Sequence, residues 1–277
     1  MAKPISSELV LRFNSALVLA AVSVAAAYAG PDIFGGLILF FASLMSWEWC
    51  RVVRGRSFDG IFVLQLAAIV CAGVLTLVSH PGIAVGVILV ATWVSFLIHE
   101  RSGLKNDPWW SAAGFYYAGF PAIALIAIRQ DPDYGFYAIL YLFLVVWSAD
   151  TGAFFTGRLI GGPKLAPSIS PNKTWSGLIG GACAACCAGT LFALWFGRTS
   201  VPALAGVSVV LAIISQAGDL GESFVKRVFG VKNSSGLIPG HGGVLDRLDS
   251  LVFAAMGAGL IAVLADPSHL GRALLIW

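Results

Sequence analysis

Apolar residues along this chain fall into repeated runs of about 18 to 22, each long enough as a helix to cross a hydrocarbon layer roughly 30 Å thick. Short breaks of charged residues, proline and glycine part them. The runs predict nine spans, at about 13–29, 33–50, 61–79, 82–99, 109–128, 135–156, 175–197, 201–218 and 248–265. Breaks as short as His80-Pro81-Gly82 can only join antiparallel neighbours. A barrel would show alternation over segments of about ten residues instead. The fold class expected is therefore an all-α integral membrane protein, a polytopic bundle of about nine transmembrane helices. The first run lacks a small-residue cleavage site before the second and reads as a retained span.

Composition agrees with the pattern. Of 277 residues, 58% are hydrophobic and 11% charged, against about a quarter charged in ordinary soluble domains. No gap between runs has room for a water-soluble domain, so residues 1–277 read as a single polytopic membrane domain. The net charge of +3 is informative only once the charges are sorted by side. With the amino terminus in the cytoplasm, 14 of the 17 Lys and Arg residues fall on that side, leaving Arg129, Arg198 and Arg272 opposite. The positive-inside rule then places the amino terminus in the cytoplasm and the carboxyl terminus outside. The two longest connections, about 157–174 and 219–247, both face the cytoplasm and hold most of the unusual polar residues. Helices within 1–130 thus read as scaffold and those within 135–265 as the catalytic part. Of the five cysteines, Cys183, Cys186 and Cys187 lie in an Ala/Gly-rich apolar run and read as small helix-packing residues, not zinc ligands.

Three stretches carry candidate chemistry. The sixth span ends "WSADTGAFFTGRLIGG", with Asp150 inside the apolar run. A carboxylate there is costly unless paired, ligated or wetted, so it is either functional or paired to Arg158. "KLAPSISPNKTWSG" (164–177) gathers Ser168, Ser170, Asn172, Lys173 and Thr174 just before a helix start. That suits a phosphate site and an ordinary capped interfacial loop equally. The richest stretch is "SQAGDLGESFVKRVFGVKNSSGLIPGHGGVLDRLDS" (215–250). If the eighth helix continues past the apolar run, Asp219, Glu222, Ser223 and Lys226 fall at spacings of three or four on neighbouring turns. Asp246 and Asp249 are likewise three apart at the start of the ninth helix. Magnesium typically takes one or two carboxylates plus substrate phosphates and water, so Asp219 with Asp246 suffices, and Asp249 is a further ligand or orienter. Lys226, Arg227, Lys232 and Arg247 would surround a polyphosphate, with Gly240, Gly242 and Gly243 letting backbone donors approach it. A basic loop beside a membrane is often only a topological determinant or lipid-headgroup patch; the added carboxylates and glycines argue against that here. Among the histidines only His241 has such company, and Trp109, Trp110 and Trp175 fit an interfacial aromatic belt.

These residues resemble the phosphatidate cytidylyltransferase (CDP-diacylglycerol synthase) family. The family signature is followed from Ser223 through Lys226, Arg227, Lys232, Ser235, Ile238, Pro239, His241, Gly242 and Gly243 to Asp246, Arg247 and Asp249. "SPNKTWSG" resembles a second family element, Ser-Pro-Lys-Lys-Thr-Trp-Glu-Gly. Asn233 stands where the signature has Asp, and Ser176 where the family commonly has Glu, so neither is assigned a catalytic or metal role.

The resemblance implies transfer of a cytidylyl group from CTP to phosphatidate, giving CDP-diacylglycerol and pyrophosphate. It further implies dependence on Mg2+, with or without a second cation, and a homodimer that uses no nucleic acid. The expected location is a bacterial inner membrane with the site facing the cytoplasm. On this reading Asp219, Asp246 and Asp249 hold metal; Lys226 and His241 act on the phosphates. Ser223, Arg227, Lys232, Arg247, Gly242, Gly243, Ser170, Lys173, Thr174 and Asp150 line the substrates. Two rival readings are a CTP-dependent polyprenol or phytol kinase and an anion transporter. A transporter should carry midspan charges, whereas the acidic candidates here lie near the cytoplasmic ends of the spans.

Overall fold

The computed structural model describes residues 5–56, 58–102, 107–237 and 242–277, with side chains from Asn14 onward. The described helices are α1 (Ile5–Ala29), α2 (Pro31–Arg54), α3 (Gly60–Leu77), α4 (Pro81–Arg101), α5 (Pro108–Arg129) and α6 (Gly135–Leu159). After a hairpin of β1 (Lys164–Ala166) and β2 (Ser170–Thr174) follow α7 (Trp175–Phe196), α8 (Val201–Val228), α9 (Leu245–Ala265) and α10 (Leu270–Leu275). Among the described residues, α2 to α9 are eight helices long and apolar enough to cross a membrane, and α1 adds the apolar stretch Asn14–Ala29. The protein is thus an α-helical polytopic membrane protein. Phe40, Val63, Trp93, Leu191 and Leu264 point outward from these helices, as a bilayer-covered surface requires.

The helix ends follow from local chemistry. Pro31 and Pro81 stand in the first turns of α2 and α4, where a missing N–H costs nothing. Gly55 and Gly197 close α2 and α7 in the left-handed conformation, with φ of 65° and 67°. α8 runs ten residues past the expected 218, to Val228, because its polar extension carries a Glu222–Lys226 ion pair at i,i+4.

The chain forms two compact units. One comprises the residues up to Ile126 together with Phe229–Leu248. Within it α2 and α3 approach closely: a Cβ at Gly35 would meet Leu77 at 2.7 Å, and one at Gly73 would strike Leu39. Buried polar side chains answer one another. Arg54 grips Asp59 through two bonds of 2.7 and 2.9 Å, and Asp59 also caps α3 by accepting the Phe62 N–H at 2.7 Å. Trp49 Nε1 donates to the Trp110 carbonyl at 2.8 Å, and His99 Nδ1 meets Ser111 Oγ at 3.1 Å.

The second unit comprises Ala127–Val228 and Asp249–Trp277. Its centre is α7, whose Gly177, Gly181, Ala185 and Gly189 recur every four residues on one buried face. A Cβ at Gly152 of α6 would press on the Gly180 carbonyl at 2.9 Å, and one at Gly181 on the Ala149 carbonyl at 2.7 Å, so small residues set the α6–α7 separation. The three clustered cysteines do not share that role. Cys183 and Cys187 are exposed and Cys186 is half-buried, because they fall off the four-residue stripe. Tyr141 ties α6 to α8 through Ser208 Oγ at 2.8 Å and the Leu204 carbonyl at 3.2 Å. Asp131 accepts N–H bonds from Tyr134 and Arg272, both at 2.9 Å, and so holds α10 to the turn before α6.

Two outcomes are expected. Gly189→Leu drives a side chain into Ser208 and should destabilise the protein by about 1–3 kcal/mol. Gly206→Ala, with open space around it, should be neutral or gain up to ~1 kcal/mol; thermal midpoints in detergent distinguish the two. Burial alone would raise the Asp59 carboxyl, but Arg54 and the Phe62 N–H outweigh it and hold it below the usual carboxylate range. The stability this supplies is complete above the ordinary carboxylate value of about 4 and is lost as pH falls through the lower folded value. Asp59→Asn should therefore flatten the acid limb of a thermal-midpoint-against-pH curve.

Candidate active site

Charged groups gather in the second unit where α6, β2, α8 and α9 contribute side chains. Lys173, near the end of β2, contacts Asp219 Oδ2 at 2.8 Å. One turn along α8, Lys226 contacts Glu222 Oε2 at 2.7 Å. Asp249 lies within electrostatic reach of Asp219, Glu222 and Asp150. Asp150, exposed on α6, accepts a hydrogen bond from Ser250 Oγ at 3.2 Å. Four carboxyl groups therefore share a neighbourhood with two ammonium groups. Arg227 Nε donates to the Ile169 carbonyl at 3.3 Å, a second tie between α8 and the hairpin.

The hairpin owes its shape to helix capping. Thr174 accepts the Gly177 N–H at 3.1 Å and is the N-cap of α7. Ser176 reaches back to the Gly161 carbonyl and meets Thr174 Oγ1 at 2.9 Å, so the residue that replaces the family's Glu braces the turn.

The glycine-rich segment belongs to the first unit. Asp246, in the first turn of α9, accepts the Gly243 N–H at 2.8 Å and the Ser234 N–H at 3.1 Å, which closes the loop on itself. Gly242 has φ of 85°, in the left-handed region that favours glycine. A Cβ at Gly243 would collide with Ser234 Oγ and with a carboxylate oxygen of Glu48. Glu48, from α2, is fully buried and accepts four hydrogen bonds. Ser235 Oγ and the Val244 N–H (2.9 Å) serve one oxygen. Ser234 Oγ (3.0 Å) and the Leu245 N–H (2.7 Å) serve the other.

The expected site residues thus divide. Asp150, Lys173, Asp219, Lys226 and Asp249 come together in the second unit; Ser170, Thr174, Ser223 and Arg227 sit on the same hairpin and helix. Lys232, Gly242, Gly243, Asp246 and Arg247 belong to the first unit, with Lys232 and Arg247 exposed. His241 lies outside the described residues. The alternative partner for Asp150, Arg158, instead stacks over the Phe154 ring at 5.9 Å. Glu48 and Ser250 are not among the sequence candidates. A lone carboxylate inside an apolar run, the signal that singles out Asp150, marks Glu48 equally well.

Among the described residues no three His, Cys, Asp or Glu side chains form a ready-made metal cage. The carboxylate oxygens are nonetheless the hard donors that magnesium takes, and magnesium uses one or two of them alongside substrate phosphates. The second unit supplies donors of this kind in Asp219 and Asp249, and Lys173 pairs with Asp219.

The fold and its site thus define a polytopic α-helical membrane protein that clusters carboxylates and lysines near helix ends. The chain is a member of the cytidylyltransferase family, whose pattern it matches over residues 10–264. It is 42% identical over 267 residues to the phosphatidate cytidylyltransferase of Brucella suis biovar 1 (strain 1330), covering 94% of this chain and 96% of that one. Identity to the phosphatidate cytidylyltransferase of Haemophilus influenzae is 33%, covering 88% and 94%. For that of Staphylococcus aureus (strain COL) it is 36%, covering 79% and 87%.

Lys173→Met should leave Asp219 facing its acidic neighbours uncompensated. Because the pair is part-exposed, the expected loss is about 1 kcal/mol or less. Added salt should restore part of it by screening, visible in thermal midpoints taken at low and high NaCl.

Proposed function

We propose that this protein transfers the cytidylyl group of CTP to phosphatidate, giving CDP-diacylglycerol and pyrophosphate. The observation that carries this is the signature run from Ser223 to Asp249 in a chain that aligns with curated phosphatidate cytidylyltransferases over nearly its full length. A phosphatidate oxygen attacks the α-phosphorus of CTP, the α–β phosphoanhydride bond breaks, and pyrophosphate leaves with the bonding electrons. The nucleophile is already an anion, so no strong base is required. The barrier lies in bringing two polyanions together and in the charge on the leaving group.

Lys226 and Arg227 on α8, with Lys232 and Arg247 on the signature segment, neutralise the nucleotide tail and the lipid phosphate. Lys173 and Ser170 on the hairpin donate hydrogen bonds to the phosphates, and His241 donates to a phosphate oxygen. Asp219, Asp246 and Asp249 would hold magnesium, which would supply positive charge to the phosphates. The Gly243 N–H is directed to Asp246, so this glycine serves chiefly by holding that carboxylate. The same reading places nine spans in a bacterial inner membrane, the amino terminus and the site in the cytoplasm, the carboxyl terminus outside, and the protein in a homodimer. Polar chemistry at a helix-end boundary suits an enzyme with one substrate in water and the other fixed in the bilayer.

The test is purified protein in detergent with labelled CTP, magnesium and phosphatidate. A CDP-lipid is expected from phosphatidate; a phosphorylated lipid from a polyprenol or phytol supplied in its place would indicate a kinase, and neither product would favour transport. Asp219→Asn and Asp246→Asn should each abolish turnover while the purified variants keep the wild-type elution volume and helical circular dichroism. Near-normal activity in either would overturn the metal assignment.

A further inference from the structure

We infer that Glu48, on a helix outside the signature, is a positioning residue for the signature segment; the inference rests on the function proposed above. This one carboxylate binds described residues from two stretches of the chain, 234–235 and 244–245. On one side are the hydroxyls of Ser234 and Ser235, on the other the first N–H groups at the α9 start, Val244 and Leu245. The arrangement is symmetric. Each carboxylate oxygen accepts one serine hydroxyl, which can rotate, and one backbone N–H, which cannot.

The proposed metal ligand Asp246 is tied to these anchors. Ser234 donates its hydroxyl to Glu48 and its N–H to Asp246, so the Glu48 carboxylate and the proposed metal ligand grip the same residue. Gly243 donates its N–H to Asp246, and its missing Cβ makes room for Glu48. A buried carboxylate accepting four bonds is electrostatically well served and geometrically demanding. Glutamine has the same volume but presents one oxygen and one NH2. Whichever way it is turned, one of the two backbone N–H groups faces another donor. The loop must then shift, and Asp246 with it. Glu48 touches neither substrate nor metal in this scheme and acts through Ser234, Ser235 and the α9 start.

The experiment compares wild type, Glu48→Gln and the double variant Ser234→Ala/Ser235→Ala by hydrogen–deuterium exchange without nucleotide or metal, and by turnover as a function of magnesium. Expected for Glu48→Gln is exchange about 10-fold or more faster in peptides covering 232–237 and 242–249, with wild-type exchange in α6 and α7. The magnesium concentration giving half-maximal turnover should rise about 10- to 100-fold, as for loss of an outer-shell support. A merely structural defect would lower the active fraction without moving that concentration. Wild-type exchange in both peptides, or a lower turnover at unchanged magnesium dependence, would overturn the inference. If Glu48→Gln does not fold, the double serine variant decides, and unchanged exchange at 242–249 in it overturns the inference. If wild type makes no CDP-lipid, the functional reading fails while the exchange data still report on Glu48.

Discussion

A polypeptide in hydrocarbon can satisfy its backbone N–H and C=O groups only within itself, and that constraint organises everything else in this protein. Helices meet it along their length, but every helix end leaves unpaired groups. Those ends are where polar side chains become indispensable. Asp59 serves the start of α3, Thr174 the start of α7, and Glu48 the start of α9. The polar residues that look out of place in an apolar chain sit largely at such boundaries, where a lipid-bound substrate and a dissolved one can meet.

Packing in the second unit shows the other side of the same physics. Since lipid tails are as apolar as leucine, helices gain little from burying large side chains and gain instead from close backbone approach. The Gly177–Gly181–Ala185–Gly189 stripe provides this on α7, and it leaves the hairpin and α8 held firmly enough for Lys173 to reach Asp219. The stripe starts beside the site, where the Gly177 N–H bonds to Thr174.

One of the two departures from the family pattern has a visible structural role. Ser176 braces the hairpin turn through Gly161 and Thr174. Asn233 is exposed, and its Cβ lies 3.6 Å from where a Cβ on Gly242 would stand. Nothing in the structure explains why Asn is there in place of Asp.

Much of this was legible in the residues taken in order. Membrane helices announce themselves because one run of about 20 apolar residues is both the solvent-exposed surface and the element, so span positions follow from hydropathy without tertiary knowledge. The signature segment and its carboxylates were equally visible, since spacing along a helix fixes which groups share a face: Glu222 and Lys226 pair as their separation implies. Partners distant in sequence were not legible. Lys173 with Asp219, Ser250 with Asp150, and above all Glu48 with a loop nearly 190 residues away depend on which helices pack together. Hydropathy is a one-dimensional property of each segment, whereas hydrogen-bond satisfaction is a three-dimensional one. Only the folded chain could show that Glu48, one polar letter in an apolar run, bonds to Ser234 and Ser235 and to the start of α9.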